Sequence, residues 1–159
     1  MVALVDIVVA ELSSLDPEGA SGFRARGERV KAALEALHGE IGTQARTWEH
    51  RTLVTFHGSF GYFAERYGLR IAAVIEPFPG REPTPRYMQE VIAAIRASGA
   101  HALFSEPQLD PRPARVIAES AGVALHQLDP VGGTRGVESY RALLSHNVEV
   151  LTTALAEAE

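Results

Sequence analysis

Residues 52–75 read TLVTFHGSFGYFAERYGLRIAAVI, and they contain the strongest indication of the fold class. Its first part, 52–56, is apolar and rich in β-branched residues, which predicts a buried strand. The aromatic-rich run 58–67 predicts a helix, and Gly68 is typical of a helix end. Residues 69–75 predict a second strand. Two strands joined by one helix are typical of a parallel βαβ unit.

The same alternation continues towards the C-terminus. The further predicted elements are a helix over 85–98, a strand over 101–105, a helix over 111–121, a strand over 123–128 and a helix over 137–156. Alternating strands and helices favour a parallel sheet covered by helices on both of its faces. The sequence therefore predicts an α/β fold with a four-stranded parallel sheet.

Two helical segments precede this sheet. Residues 2–14 are strongly apolar, and Asp16 followed by Pro17 predicts the start of a long amphipathic helix that reaches about residue 46. We therefore expect a domain organisation with N-terminal helices over 1–46 and an α/β lobe over 47–159.

Composition excludes several classes of function. The chain has 159 residues, a net charge of −5 and no cysteine. The absence of cysteine excludes thiol catalysis, iron–sulfur clusters and cysteine-ligated zinc. No Lys/Arg cluster is present, so we expect no nucleic-acid partner. We also expect no membrane span and no signal peptide within this chain, since neither a long apolar run nor a basic leader is found.

Each predicted strand ends on an ionisable side chain. The four residues at these ends are His57, Glu76, Glu106 and Asp129. In an open parallel sheet, ligands bind outside the carboxyl ends of the strands. One imidazole with several carboxylates suits a divalent cation. Polar residues are also common wherever a chain leaves the core, and Glu76, beside Pro77, is interpreted as a structural or rim residue.

His57 also allows an enzymatic interpretation. An imidazole titrates near neutral pH and could act as a general base, with Glu106 or Asp129 orienting it. Ser59 is the only conceivable nucleophile nearby, and no Gly-x-Ser-x-Gly elbow or phosphate-binding loop is present. A hydrolase that uses His57 is therefore the less favoured hypothesis.

Four motifs in series carry a resemblance to a known family. The run 55–69 is a His followed by a small-x-aromatic-Gly-Tyr-Phe pattern, and three shorter motifs follow in order at 82–85 (EPTP), 104–108 (FSEPQ) and 128–133 (LDPVGG). Together they resemble the C-terminal lobe of the zinc/manganese-specific solute-binding proteins of ABC importers, the cluster A-I class. Upstream, 15–18 and the following helix resemble the long helix that joins the two lobes of that family.

The resemblance implies a metal-binding transport protein rather than an enzyme. It implies that one ion is held between two lobes and that this lobe supplies His57 and Asp129 as ligands, facing a common cleft. His at position 57 favours zinc, with manganese as the alternative. Glu106 is the candidate for orienting the His57 ring.

The resemblance also implies partners and a location. These are an ABC permease, a periplasmic or extracellular site of action, and either the missing N-terminal lobe or a second subunit to complete the metal site. Since the family's first lobe is absent from this chain, a second hypothesis stays open. The chain could be a truncated family member that acts as a metal-independent interaction module.

Overall fold

The structure is a computed structural model that describes residues 1–78, 80–133 and 135–156. Pro79 and Thr134, which fall in two predicted loops, lie outside the described residues. The elements in chain order are α1 (Val2–Leu15), α2 (Ala20–Ala45), β1 (Thr52–Thr55), a 3₁₀ turn (Gly58–Phe60), α3 (Gly61–Tyr67), β2 (Arg70–Val74), α4 (Pro85–Ser98), β3 (Ala102–Ser105), α5 (Arg112–Ala121), β4 (Ala124–Gln127) and α6 (Tyr140–Leu155).

The four strands form one parallel sheet in the order β2-β1-β3-β4. The predicted α/β fold with a four-stranded parallel sheet is therefore confirmed. The chain moves outward from β1 to β2 and then returns to the other side of β1 for β3 and β4. Right-handed crossovers then place α3 on one face and both α4 and α5 on the other. The strand order reverses between β1 and β3, which is where ligands of open α/β sheets bind.

The core lies between the sheet and its helices. Its largest fully buried side chains include residues of the strands, residues directly after them and residues of α4 and α5: Leu53, Phe56, Ile75, Ile95, Leu103, Phe104 and Ile117. β1 and β3 are the two central strands, and seven of their eight residues are buried because the strands are covered on both faces. A rigid centre of this kind fixes the residues that follow β1 and β3.

The chain folds as two compact units, Met1–Thr43 and Gln44–Glu159. The predicted division at residues 46 and 47 stays a prediction. In the first unit, α1 lies close to Gly27 of α2, where an added Cβ would stand 2.6 Å from Val9 Cγ2. Lys31 Nζ also bonds Asp6 Oδ1 at 2.8 Å. No residue of α1 is buried.

Among the described residues, no helix is long and apolar enough to cross a membrane.

Two predicted helix starts differ from the structure. Asp16 is the C-cap of α1, and its carboxylate accepts a bond from the Gly19 amide at 3.0 Å, so α2 begins only at Ala20. The last helix begins at Tyr140 rather than at 137, because Ser139 caps it by accepting from the Ala142 amide at 3.1 Å. In both cases a short polar side chain accepts a bond from the backbone N–H three residues later, and the helix begins after the position that apolar spacing predicts.

Candidate metal centre

His57 extends β1 past its last paired residue. Its backbone is extended (φ −116°, ψ 173°), and its carbonyl accepts a bond from Thr55 Oγ1 at 2.7 Å. A 3₁₀ turn begins directly afterwards, so the chain leaves the sheet at this point. The imidazole therefore lies at the carboxyl edge of the central strand, at the reversal of strand order.

Both ring nitrogens of His57 face carboxylates. Nδ1 lies 3.4 Å from Glu106 Oε2 in hydrogen-bond geometry, and Nε2 lies 3.4 Å from Glu76 Oε2. When Nδ1–H donates to Glu106, the neutral ring carries its lone pair on Nε2. Nε2 itself has no hydrogen-bond partner although it is buried, since its contact with Glu76 is close but not a hydrogen bond. This tautomer is the one that coordinates a metal through Nε2.

Unpartnered polar atoms concentrate at this edge. Among the described residues, three buried side-chain nitrogen or oxygen atoms lack a hydrogen-bond partner, namely Ser13 Oγ, His57 Nε2 and Glu106 Oε1. Buried polar atoms are normally paired, and each exception calls for an explanation such as a bound ion. Two of these three atoms belong to neighbouring residues of the candidate site.

Asp129 is held by a different set of bonds. Its backbone N–H donates to Asn147 Oδ1 at 2.9 Å, and Asn147 Nδ2 donates to its carbonyl at 2.7 Å. Its Oδ1 accepts from Gln108 Nε2 at 2.7 Å, from the Val131 amide at 3.0 Å and from the Gly132 amide at 2.8 Å. The carboxylate is buried and fixed, and all three of these bonds fall on one of its two oxygens.

These bonds also decide the charge of Asp129. Burial pushes the pKa of the carboxyl up, but the donors Gly132, Gln108 and Val131 outweigh it and lower the pKa below its ordinary value. The group is therefore ionised at neutral pH, as a metal ligand must be.

The four strand-end residues do not all converge in the structure. His57 contacts Glu76 and Glu106, whereas Asp129 follows β4 and is separated from β1 by β3. Two strand spacings amount to about 10 Å between backbones. Among the residues that the structure describes, no three His, Asp or Glu side chains are arranged to hold one ion. The shared cleft of His57 and Asp129 stays a prediction.

Sequence reasoning overlooked three residues of this region. Glu76, interpreted as a rim residue, is only 7% exposed and contacts His57. Gln108 and Asn147 support Asp129, and neither was considered as a site residue. The available signal for Asn147 is its position on the apolar stripe of α6, next to Val148 and one turn before Leu151, where an amide needs buried partners.

Comparison with known proteins identifies the family. Residues 1–154 match the family described as "Zinc-uptake complex component A periplasmic" (ZnuA). The chain belongs to this family. The resemblance found in the sequence is thereby confirmed, and the family's own description places its members in zinc uptake and in the periplasm.

Individual relatives of the zinc-uptake component A family agree. The chain is 25% identical over 152 residues to the high-affinity zinc uptake system protein ZnuA of Brucella suis, covering 94% of this chain and 46% of that protein. It is 26% identical to the manganese-binding lipoprotein MntA of Halalkalibacterium halodurans, covering 96% and 53%. The chain thus spans about half the length of the curated relatives it matches.

A solved structure supports the fold. A mutant of the laminin-binding adhesin Lmb from Streptococcus agalactiae superposes with a TM-score of 0.83 at 29% identity, covering 93% of this chain and 56% of that one. The shared architecture extends over nearly all of the present chain.

Proposed function

We propose that this chain captures a divalent transition metal, zinc first and manganese as the alternative, as the C-terminal lobe of a substrate-binding protein that delivers it to an ABC permease. His57 and Asp129 are the ligands that this lobe contributes, and Glu106 orients the His57 ring. The metal is the transported substrate, so no covalent step and no catalytic residue are required.

The observation that carries this proposal is the state of His57. Its Nε2 is buried and unpartnered while Glu106 contacts Nδ1, which is the arrangement of a histidine prepared to bind a metal. Family membership supports zinc as the substrate, and a manganese-binding relative supports the alternative. The imidazole favours zinc over manganese.

The partners and the location follow from the same family. We propose that an N-terminal lobe or a second subunit supplies further ligands, because a closed zinc site is usually four-coordinate. Periplasmic or extracellular action fits the family's description. The net charge of −5 suits a cationic ligand and does not suit nucleic acid.

The decisive experiment is a zinc titration by calorimetry. We expect His57→Ala to weaken zinc binding by more than about 100-fold, since loss of a partner that only orients a ligand already costs 10–100-fold. His38→Ala, which removes an exposed histidine of α2, is the matched control and should leave binding unchanged. Indistinguishable isotherms for His57→Ala and the wild type would overturn the proposal.

A chelator distinguishes the hypothesis of metal capture from that of a metal-independent interaction module. If the protein captures metal for a permease, EDTA abolishes its zinc-dependent recognition by that permease. Recognition that persists unchanged in EDTA would favour the module.

The hydrolase hypothesis gains no support from the contacts of His57, whose two nitrogens face Glu76 and Glu106, while Ser59 is exposed.

A further inference from the structure

Glu76 is the residue of the carboxyl edge whose burial the proposed function does not explain. It follows β2, and its amide donates to the Phe56 carbonyl at 2.8 Å, which continues the β1–β2 ladder by one residue beyond the Ile75–Thr55 bond. This backbone bond fixes Glu76 directly beside His57. The residue is 7% exposed, so its carboxylate lies in a largely water-excluded position.

Among the described residues, the carboxylate of Glu76 is poorly paired. Among the ion pairs between described residues, the one that Glu76 makes is with His57 Nε2 at 3.4 Å. Nε2 is buried and has no hydrogen-bond partner, and buried polar atoms without a partner are costly. Two atoms of types that bind cations, His57 Nε2 and Glu76 Oε2, therefore face each other at 3.4 Å without a hydrogen bond between them.

The separation of these two atoms matches a shared metal ion. Zinc binds imidazole nitrogen and carboxylate oxygen at about 2.0–2.2 Å, so two ligands at a tetrahedral angle lie about 3.3–3.6 Å apart. The observed distance of 3.4 Å falls within this range. β2 is hydrogen-bonded directly to β1, whereas the strand that carries Asp129 is two positions away, so Glu76 needs less movement to reach an ion on Nε2.

We propose that Glu76 is a direct ligand of the captured ion, and that its Oε2 shares that ion with His57 Nε2. This inference rests on the proposed function, because it assigns a further ligand to the same substrate site. With Glu76 as a ligand, this lobe supplies two adjacent ligand atoms, His57 Nε2 and Glu76 Oε2. Further ligands would come from the N-terminal lobe or a second subunit. Ligation by Glu76 also explains why a carboxylate is buried next to a ring nitrogen that has no hydrogen-bond partner.

The test compares zinc binding by the wild type, Glu76→Gln, Glu76→Asp and His57→Ala in calorimetric titrations. Glutamine keeps the size of the side chain and removes its charge, so we expect affinity for zinc to fall at least about tenfold. Glu76→Asp keeps the charge on a shorter side chain and should bind zinc more tightly than Glu76→Gln. Glu65→Gln, an exposed change on α3, is the matched control and should bind like the wild type.

A second measurement separates a ligand from a structural residue. Without metal, Glu76→Gln should melt at or above the temperature of the wild type, because it removes a poorly paired buried charge, while the rise in melting temperature caused by zinc should shrink. Cobalt(II) provides a spectroscopic check, since loss of a protein ligand changes its visible absorption bands. Unchanged bands in Glu76→Gln would contradict direct ligation.

The outcomes distinguish this inference from the proposed function. If His57→Ala loses zinc binding but Glu76→Gln keeps the wild-type affinity or binds more tightly, Glu76 is only an ion-pair partner of a protonated His57 and the inference is overturned. If His57→Ala itself binds zinc like the wild type, the proposed function fails first.

Discussion

The two edges of the parallel sheet use their charged side chains in different ways. At the amino edge, arginines bond carbonyls in the last turns of helices: Arg70 Nη2 donates to Ser98 O at 3.2 Å, and Arg96 Nη2 donates to Ser120 O at 2.7 Å. These helix ends carry a partial negative charge, so the contacts are complete and favourable. At the carboxyl edge, His57 Nε2 and Glu106 Oε1 are buried and have no hydrogen-bond partner.

This difference shows that the presence of charge at a strand end is not by itself a sign of function. Arg70, the first residue of β2, and Arg96, in the last turn of α4, are both exposed, and each bonds a backbone carbonyl near a helix end. Glu76, Glu106 and Asp129 are each less than 10% exposed. The charged groups of the amino edge are thus paired at the surface, whereas the carboxyl edge holds buried polar atoms that have no hydrogen-bond partner. Four substitutions test this difference between the two edges, in order of decreasing size of effect.

Asn147→Ala should have the largest effect. Asn147 is 2% exposed and is bonded to both the N–H and the carbonyl of Asp129, so the change leaves two buried backbone groups unpaired. We expect the free energy of unfolding to fall by about 2–4 kcal/mol, measured by chemical denaturation. Thr153→Ala, at an exposed position of the same helix, is the control. A loss no greater than that of the control would show that Asn147 does not hold Asp129.

Glu106→Gln should act on metal affinity rather than on the fold. The amide can still accept a bond from His57 Nδ1, but it no longer carries the charge that makes the imidazole a stronger ligand. We expect zinc affinity to fall by about 10–100-fold, measured by competition with a chelator. Glu119→Gln, an exposed change on α5, should leave the affinity unaltered. Equal affinities for Glu106→Gln and the wild type would remove Glu106 from the site.

Arg70→Ala tests the amino edge. Arg70 bonds both Thr52 Oγ1 and the Ser98 carbonyl, but it is exposed, so screening by water limits its contribution. We expect a loss of about 0.5–1 kcal/mol in the free energy of unfolding and no change in zinc affinity. A clear change in zinc affinity would mean that the two edges are coupled.

His126→Gln should have the smallest effect, and only as a function of pH. Burial lowers the pKa of the half-buried His126 on β4 below its ordinary value. Between that lowered pKa and about 6.5, the unfolded chain binds more protons than the folded chain, so this residue's contribution to stability rises with pH and is lost as the pH falls. The difference in unfolding free energy between the wild type and His126→Gln, measured with a chelator present, should follow this trend. A difference that does not vary with pH would contradict it.

Much of the fold was predictable because the signals are local. The predicted strand over 52–56 and the observed β1 differ by one residue, and Gly68 closes α3 with φ +70° as predicted. The errors at Asp16 and at residue 137 occurred where a bond from a side chain to the backbone precedes the first helical residue. The position of such a bond depends on the exact turn geometry and not on apolar spacing.

Sequence patterns were enough to identify an α/β protein of the zinc-uptake component A family, with ionisable residues at the carboxyl ends of its strands. Those features depend on periodicity and on motifs within short segments. Which of these side chains meet follows from the three-dimensional arrangement of the strands. Glu76 and His57 are 19 positions apart in sequence, yet parallel pairing of β1 with β2 places them in contact, whereas β3 separates His57 from Asp129. Strand order is set by packing of the whole core, so no local pattern could show which of the strand-end carboxylates contact His57.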